Sequence, residues 1–399
     1  MSMVSQRFAP FGTTVFAEMT ALATKHGAVN LSQGFPDFDG PEFAKAAVVR
    51  ALAEGRNQYG RMQGLPELNR AIVESWKRSS GLEVDGETQV TVTAGCTEAL
   101  AATFLGLINP GDEVILFEPY YDCYRAGIAM AGGVARTVWL RPPTAGAGAD
   151  GIVRAPFEFD AEQLRRAFTS RTRAIVVNTP NNPTGKVFTR EELGLIAELC
   201  VKYGVVAITD EVYERLTFSD ALPHVHLATL PGMSERTITL SSLGKTYSLT
   251  GWKTGWAIAS RELSAAVRAA HQFLTFCSAI PIQLGAAEAI TQGEEYVRGL
   301  RKQLQEARDY LAGVLARVGF RVYMPDGTYF IMVDHTPVSG GRSDVEFCRW
   351  LTTEVGVAAI SPSVFYEDAG RGRSLARFAF CKKMETLHAA AQRLERLRG

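Results

Sequence analysis

The sequence predicts an α/β protein with a large, mostly parallel sheet, followed by a smaller α+β unit. Three observations carry this. Short apolar or β-branched runs recur between residues 89 and 260, and helical patterns separate them. Strand–helix–strand repeats of this kind build a parallel sheet with helices on both faces, and its strand ends converge on one side. After about Ile280 the pattern changes to long charged helices and short strands.

Composition agrees with a globular enzyme. The 399 residues exceed one small core and suggest about two to three domain-sized units. Apolar residues make up 46% and charged ones 21%, which argues against disorder. Lys+Arg and Asp+Glu are equal at 42 each, so no net basic field attracts nucleic acid or an anionic membrane. No apolar run approaches the roughly 18 to 20 residues that span a bilayer. Met1 to Phe11 has no basic segment leading into an apolar one, so a cytoplasmic location is expected.

The six cysteines are scattered with no C-x-x-C pair, and free, buried thiols are expected rather than disulfides or zinc. His224-x-His226 is the only close histidine pair. With no Cys or carboxylate nearby at metal spacing, it reads as a loop feature, and no metal is expected.

In chain order, Val15, Met19 and Leu22 fall at helical spacing within Thr14 to Lys25. Asn30 to Phe38 places Gly34 and Pro36 among aromatics, as in a fixed loop lining a cavity or a tight aromatic-capped turn. Helical patterns follow over about 41–54 and 65–79, with Tyr59 in an exposed-looking loop between them. Gln89 to Thr93 alternates as a strand and leads through Gly95-Cys96-Thr97 into a helix over 99–107. A strand, a glycine turn and a helix N-terminus can cradle an anion, because free N–H groups and the helix dipole both favour negative charge.

A second strand, 113–117, ends just before Tyr120-Tyr121. Residues 141–151 look like a surface excursion, rich in Pro, Gly and Ala. Strand 173–177 runs into the Asn- and Pro-rich loop from Asn178 to Gly185. Thr189 and Glu192 form a capping box that opens a helix ending at Gly204. The strand 205–209 ends at Asp210-Glu211-Val212-Tyr213. Thr237 to Leu240 leads into Ser241-Ser242-Leu243-Gly244-Lys245.

Lys245 therefore follows a buried strand. Ligands gather at strand ends in such sheets. A desolvated lysine has its pKa lowered toward the nucleophilic amine that forms Schiff bases, although a Ser/Gly-flanked lysine also suits a polar surface loop. In the last third, helix 296–318, strands 320–323 and 328–333, and helix 385–397 form the smaller unit. Leu375 to Phe380 alternates, so Arg377 lies on the face opposite Phe378 and Phe380; an arginine there ordinarily faces solvent, and the sheet pattern does not decide it.

A lysine, a carboxylate, a phenol, an asparagine, an aromatic plane and an anion cradle gathered at strand ends match the needs of pyridoxal 5'-phosphate. The motifs NTPNNPTG over Asn178–Gly185, Asp210-Glu211-Val212-Tyr213, Ser242-x-Gly-Lys245 and Gly251-Trp252-Lys253 resemble the fold-type-I aminotransferases of the aspartate aminotransferase superfamily. The resemblance covers nearly the whole chain. LSQGFPDFDGP at Leu31–Pro41, NQYG at Asn57–Gly60 and Asp122-Cys123-Tyr124 are most similar to the kynurenine aminotransferase/glutamine transaminase K and bacterial methionine aminotransferase group. Enzymes known as N-succinyldiaminopimelate aminotransferases share these motifs.

This resemblance implies an arm and substrate loop over 1–40 that packs with the small domain, a cofactor-binding domain over 41–280 and a small domain over 281–399. It implies Lys245 as Schiff-base lysine and proton shuttle, Asp210 at the pyridine nitrogen, and Tyr213 and Asn182 at the phenolic oxygen. Asn178 joins the cofactor-binding set, and Tyr121 stacks on the ring. The phosphate falls to Cys96, Thr97, Ser242, Lys253 and, from a second subunit, Tyr59. Lys253 stands where relatives often carry arginine and supplies the charge without the bidentate fork.

Arg377, Gly34 and Asn182 are implied for the substrate carboxylate, with Phe16, Tyr59 and Phe276 around the side chain, the last two across a homodimer interface. Phe16 replaces a larger aromatic of some kynurenine enzymes and leaves room for methionine or glutamine. The expected reaction exchanges an amino group between an amino acid and a 2-oxo acid. N-succinyldiaminopimelate as substrate requires a cation or donor for the succinyl carboxylate, which the pocket motifs do not offer. Other readings are β-elimination from S-substituted cysteines on the same scaffold, or a cofactor-binding sensor without turnover. The sensor reading fits poorly because every catalytic position is occupied.

Overall fold

The computed structural model describes residues 3–398. The chain enters through α1 (Val15–His26), where Thr14 caps the first turn by accepting from the Ala17 N–H and Gly27 ends the helix in a left-handed conformation. The short β1 (Val29–Asn30) follows, then α2 (Glu42–Ala53) and α3 (Pro66–Ser80). Next come β2 (Val90–Thr93), α4 (Gly95–Leu107), β3 (Glu113–Glu118), α5 (Asp122–Ala131), β4 (Val134–Trp139) and β5 (Ile152–Val153). They lead to α6 (Ala161–Ala167), β6 (Thr172–Asn178), α7 (Arg190–Tyr203), β7 (Val206–Asp210), β8 (Thr237–Ser242), the single-turn α8 (Leu243–Thr246), β9 (Gly255–Ile258) and α9 (Arg261–Leu274).

The main sheet has the order β2-β9-β8-β7-β6-β3-β4. All its pairings are parallel except those of β9, which runs antiparallel to both β2 and β8. Register places Asn178 opposite Asp210 and Asp210 opposite Leu240, so the carboxyl ends of β6, β7 and β8 lie side by side. Because β9 is reversed, its first residue, Gly255, reaches the same edge and pairs with both Ser242 and Thr93. The residues that precede β9 are thereby delivered to the strand-end edge.

Both faces of the sheet are covered, which is why β7 and β8 are buried along their whole length, with Ala, Ile, Val, Leu and Thr side chains facing the helices. In β6, Ile175 and Val177 enter one core with Leu193 and Ile196 of α7, while Ala174 and Val176 enter another with Ala99 and Ala102 of α4. Burying each large aliphatic side chain in these layers contributes about 1.5–3 kcal/mol. The capping box at Thr189 and Glu192 is formed as the spacing predicts, and Gly204 ends α7 at φ 68°.

The remaining elements are α10 (Ile280–Gln292), α11 (Glu294–Arg317), β10 (Arg321–Tyr323), β11 (Phe330–Asp334), α12 (Asp344–Trp350), β12 (Val357–Ala358), β13 (Leu375–Ala379) and α13 (Met384–Leu394). A second sheet has the order β13-β11-β10-β5. The excursion over 141–151 thus ends in β5, which crosses over to pair with β10. A strand of two residues carries too short a pattern to be seen in sequence. Met19 and Leu31 share a core with residues of α11, β11 and β13, so the N-terminal arm packs against the C-terminal part of the chain. β1 also pairs with β12. Among the described residues no helix is long and apolar enough to cross a membrane.

Candidate active site

A cavity of about 330 Å³ opens at the strand-end edge. The large sheet contributes Asn178, Asn182, Asp210, Tyr213, Ser242, Lys245 and Lys253, and the start of α4 contributes Gly95, Cys96 and Thr97. Tyr121 completes that side. The opposite wall is Arg377 and Phe330 from the C-terminal part, with Phe16 and Gly34 from the N-terminal arm. Tyr59 and Phe276 do not line the cavity of their own chain. They are 88% and 46% exposed, and their rings meet edge-on at 5.8 Å on the surface.

The anion cradle comes from local backbone geometry. The helix α4 begins at Gly95, several residues before the expected start, and no side chain caps its N-terminus. Its first N–H groups are therefore open. Gly95 has φ 75°, and a Cβ there would come within 3.3 Å of the Lys253 side chain. A Cβ at Gly255 would lie 2.6 Å from the Cys96 nitrogen, so a glycine is needed where β9 passes α4. Lys253 is itself held at φ 48°, and its Nζ lies 3.5 Å from the Thr97 hydroxyl. Glu98 braces the turn by accepting from the Ala94 N–H at 3.1 Å and contacting His271 Nδ1 at 3.0 Å. The other His271 nitrogen lies 3.0 Å from the Met62 carbonyl. Burial opposes charge on His271, but the Glu98 carboxylate outweighs it and raises the imidazole pKa.

Lys245 sits on α8, one turn past β8. Its Nζ donates to the Gly34 carbonyl at 3.3 Å and lies 5.9 and 5.5 Å from the ring centres of Tyr213 and Tyr329. Burial, reinforced by the charges of Arg377 and Lys253, brings its pKa down to about 8. Asp210, the last residue of β7, is buried. One of its carboxylate oxygens accepts from the Tyr124 hydroxyl at 2.7 Å, and the other accepts from the Val212 N–H at 3.3 Å. Burial raises its pKa, and the Tyr124 hydrogen bond works against that rise. Burial likewise raises the pKa of the Tyr213 phenol, which meets Tyr329 edge-on at 5.2 Å.

Asn178 faces the cavity, yet both ends of its amide are used within the protein. It donates to the Asp210 carbonyl at 2.9 Å and accepts from the Asn182 N–H at 2.7 Å. Its side chain thereby ties the β7 end to the loop that carries Asn182.

Strand alternation leaves the surroundings of Arg377 open, and tertiary packing buries it. It lies on the face opposite Phe378, but that face is closed by the arm and the large sheet, and the residue is only 1% exposed. Its guanidinium donates to the Asn182 side-chain oxygen at 2.7 Å and to the Ser32 carbonyl at 3.1 Å, while Nε has no partner. Phe330, Phe16 and Phe365 surround it at 4.0, 5.3 and 5.6 Å from their ring centres. Burial lowers its pKa to about 10. A buried guanidinium with an unused donor beside a cavity is prepared for an anionic group.

Sequence reasoning missed three contributors. Tyr124 is 86 residues from the Asp210 that it contacts, and no local pattern signals that approach. The Tyr329 hydroxyl donates to the Gly34 carbonyl at 2.5 Å. Phe330 forms the apolar floor under Arg377. The histidine pair also needs correction, because a carboxylate does lie beside it: Glu211 Oε2 is 2.9 Å from His224 Nε2 and 2.5 Å from His226 Nδ1. The turn after β7 brings this carboxylate back to the loop. Of the cysteines, Cys200, Cys348 and Cys381 are buried, while Cys96, Cys123 and Cys277 are half-buried.

An amine whose pKa is brought down to about 8, a buried carboxylate and an open helix N-terminus around one cavity suit imine chemistry on a phosphorylated aldehyde, the work of pyridoxal-phosphate enzymes. The chain belongs to aminotransferase class I and II, whose family model matches residues 26–394, and this family is pyridoxal-phosphate-dependent. The protein is a transaminase with the aspartate aminotransferase fold. It is 47% identical over 98% of both chains to a probable N-succinyldiaminopimelate aminotransferase of Mycobacterium tuberculosis. It is 40% identical to the methionine aminotransferase of Escherichia coli, covering 97% of this chain and 96% of that one. With kynurenine–oxoglutarate transaminase of Dictyostelium discoideum it shares 39% identity over 99% and 96%. A solved structure of N-succinyldiaminopimelate aminotransferase from Mycobacterium tuberculosis superposes with a TM-score of 0.94 at 48% identity, covering 99% of this chain and all of that one.

Proposed function

We propose that this transaminase acts on amino acids with a neutral, flexible or aromatic side chain, of the methionine, glutamine or kynurenine type, with a 2-oxo acid as acceptor. The single observation behind this reading is the make-up of the cavity. Its lining holds three basic side chains, Lys245, Lys253 and Arg377, and the wall beside Arg377 is Phe16, Tyr121 and Phe330. Each cation has a task in amine chemistry, phosphate binding or carboxylate binding, and none is left for a distal carboxylate.

Bound pyridoxal phosphate supplies an electron sink for the electrons of the substrate Cα–H bond. The donor set fits the group: an open helix N-terminus with Thr97, Ser242 and Lys253 for its phosphate, a buried Asp210 for its ring nitrogen, and Tyr213 and Asn182 for its phenolic oxygen. Lys245 in its neutral form would hold the cofactor, and its amine would carry the proton taken from substrate Cα. Tyr124 and Val212 keep Asp210 oriented as an anion. Arg377 orients the substrate through its α-carboxylate, with Asn182 and the Gly34 backbone alongside. Phe16 and Phe330 exclude water from the side-chain space.

The exposed Tyr59–Phe276 pair supports a homodimer in which each chain completes its partner's cavity, Tyr59 near the phosphate and Phe276 near the substrate. A three-part chain, with an arm over 1–40, a large domain over 41–280 and a small domain over 281–399, and a cytoplasmic location complete this reading.

A second reading, N-succinyldiaminopimelate as amino donor, is favoured by the 47% identity to the Mycobacterium tuberculosis relative. The deciding experiment measures kcat/KM across methionine, glutamine, kynurenine, aromatic amino acids and N-succinyldiaminopimelate. A tenfold or greater preference for a neutral side chain is expected. A preference of that size for the succinylated substrate would replace this reading with the second, and pyruvate and ammonia release from S-substituted cysteines would reveal β-elimination.

A further inference from the structure

Outside the catalytic cavity, the turn after β7 and the loop before Leu227–Thr229 assemble Glu211, Glu214, His224 and His226. One ligand atom from each lies within 4.8 Å of all the others. Glu211 is wholly buried, His226 is 5% exposed and the His224 side chain 6% exposed. Without a further partner the cluster bonds poorly. A single Glu211 oxygen, Oε2, serves both imidazoles, while its Oε1 and His224 Nδ1 have no hydrogen-bond partner although they are buried. Of these two atoms it is the free carboxylate oxygen of Glu211, buried and without a donor, that calls for a missing partner in the cluster.

We propose that this cluster is a binding site for one divalent transition-metal ion of the zinc type. The donor set decides the class of ion. Two imidazoles and two carboxylates suit zinc-like ions, whereas magnesium and calcium prefer oxygen donors throughout. Two carboxylates also balance the charge of a dication. Zinc–ligand bonds of about 2.0–2.2 Å in a tetrahedron put ligand atoms about 3.3 Å apart. The present separations, from 2.5 Å up to 4.8 Å, bracket that value, so side-chain adjustment suffices. Coordination uses lone pairs on His224 Nε2 and His226 Nδ1, so each neutral imidazole keeps its single proton on the other ring nitrogen, and only a second proton held by a ring or carboxylate of the metal-free cluster leaves to solvent.

The second acid is within reach because the turn bonds the Glu214 N–H to the Glu211 carbonyl at 2.9 Å, and Ser241 steadies Glu214 by donating to its Oε1 at 3.3 Å. Glu211 follows Asp210 directly, so a bound ion would clamp the end of β7 to the 221–226 loop. It does not touch the reacting atoms, and its role is structural.

The test uses chelator-treated, cofactor-loaded enzyme. Titration with zinc should show one equivalent bound per chain, and cobalt(II) at the site should give tetrahedral ligand-field absorption without a thiolate charge-transfer band. His226→Asn and Glu214→Gln should each weaken zinc binding by about 100-fold or more. The proposal is overturned by absence of stoichiometric uptake, by undiminished affinity in both variants, or by a cobalt–thiolate band, which would put the ion on a cysteine. If one variant fails to fold, the other variant and the wild-type cobalt spectrum decide.

Discussion

Arg377 Nη1 donates to the Asn182 side-chain oxygen at 2.7 Å, joining residues 195 apart in sequence. This bond links the edge strand of the C-terminal sheet to the loop after β6, and the cavity lies beneath it. The guanidinium keeps Nε unpaired, so it has capacity left for a carboxylate. Arg377→Ala should lower kcat/KM for amino acids by about 100-fold, the loss of a charge-assisted hydrogen-bond pair worth roughly 3 kcal/mol. The effect should fall mainly on KM, with cofactor absorbance retained. Loss of the cofactor instead would show that Arg377 holds the two sheets together rather than the substrate.

Tyr124 supplies the hydroxyl that steadies the Asp210 carboxylate. Its removal leaves a buried carboxylate with one donor fewer, and burial already raises that carboxyl's pKa. Tyr124→Phe should reduce kcat by about tenfold, equivalent to roughly 1.4 kcal/mol, with a smaller change in KM. Unaltered kcat would remove Tyr124 from the machinery.

Lys245 should titrate low. Burial together with Arg377 and Lys253 brings its pKa down to about 8, so below that pH the amine is protonated and unreactive, and above it the amine is free. In apoenzyme, the rate of covalent pyridoxal-phosphate uptake should rise with pH and level off above about 8. A midpoint near the ordinary lysine value would contradict the environment described here. Lys245→Ala should abolish both the imine absorbance and turnover.

Glu113 is a stability element rather than a site residue. It is buried at the start of β3, where Arg136 and Arg171 pair with it at 2.7 and 2.5 Å and Thr169 donates at 2.6 Å. The Arg136 hydrogen bond leads these effects, and against the cost of burial they lower the Glu113 pKa to about 2. Its folded pKa is below its unfolded one, so the stabilisation is complete above about pH 4.5 and disappears as pH falls toward 2. Glu113→Gln should destabilise the neutral-pH protein by about 2 kcal/mol and flatten its acid unfolding between those limits. Denaturant titrations at pH 3 and pH 7 measure the difference.

Much of the cavity was legible because it is built from strand ends, and strand ends are local events. Apolar runs that stop at Asn178, Asp210 and Ser242 mark where β6, β7 and β8 leave the core. Parallel pairing then aligns those ends without further information. The Thr189–Glu192 capping box and the Gly95 turn were equally local.

Other features depended on which surfaces cover one another. Alternation put Arg377 opposite Phe378, yet only the closing of the N-terminal arm and the large sheet over that face turned an apparent solvent position into a buried one. Tyr124 meets Asp210 across 86 residues, and β5 joins β10 through two residues that carry no period of their own. Glu211 reached the histidine pair only when the turn after β7 came back to the 221–226 loop. The sequence by itself determined the strand ends, the family motifs and the chemistry available at Lys245, because these follow from backbone propensity and short-range pattern. Tertiary structure decided what is desolvated beside what, because burial, and with it each pKa shift and each unpaired donor, depends on residues that are distant along the chain.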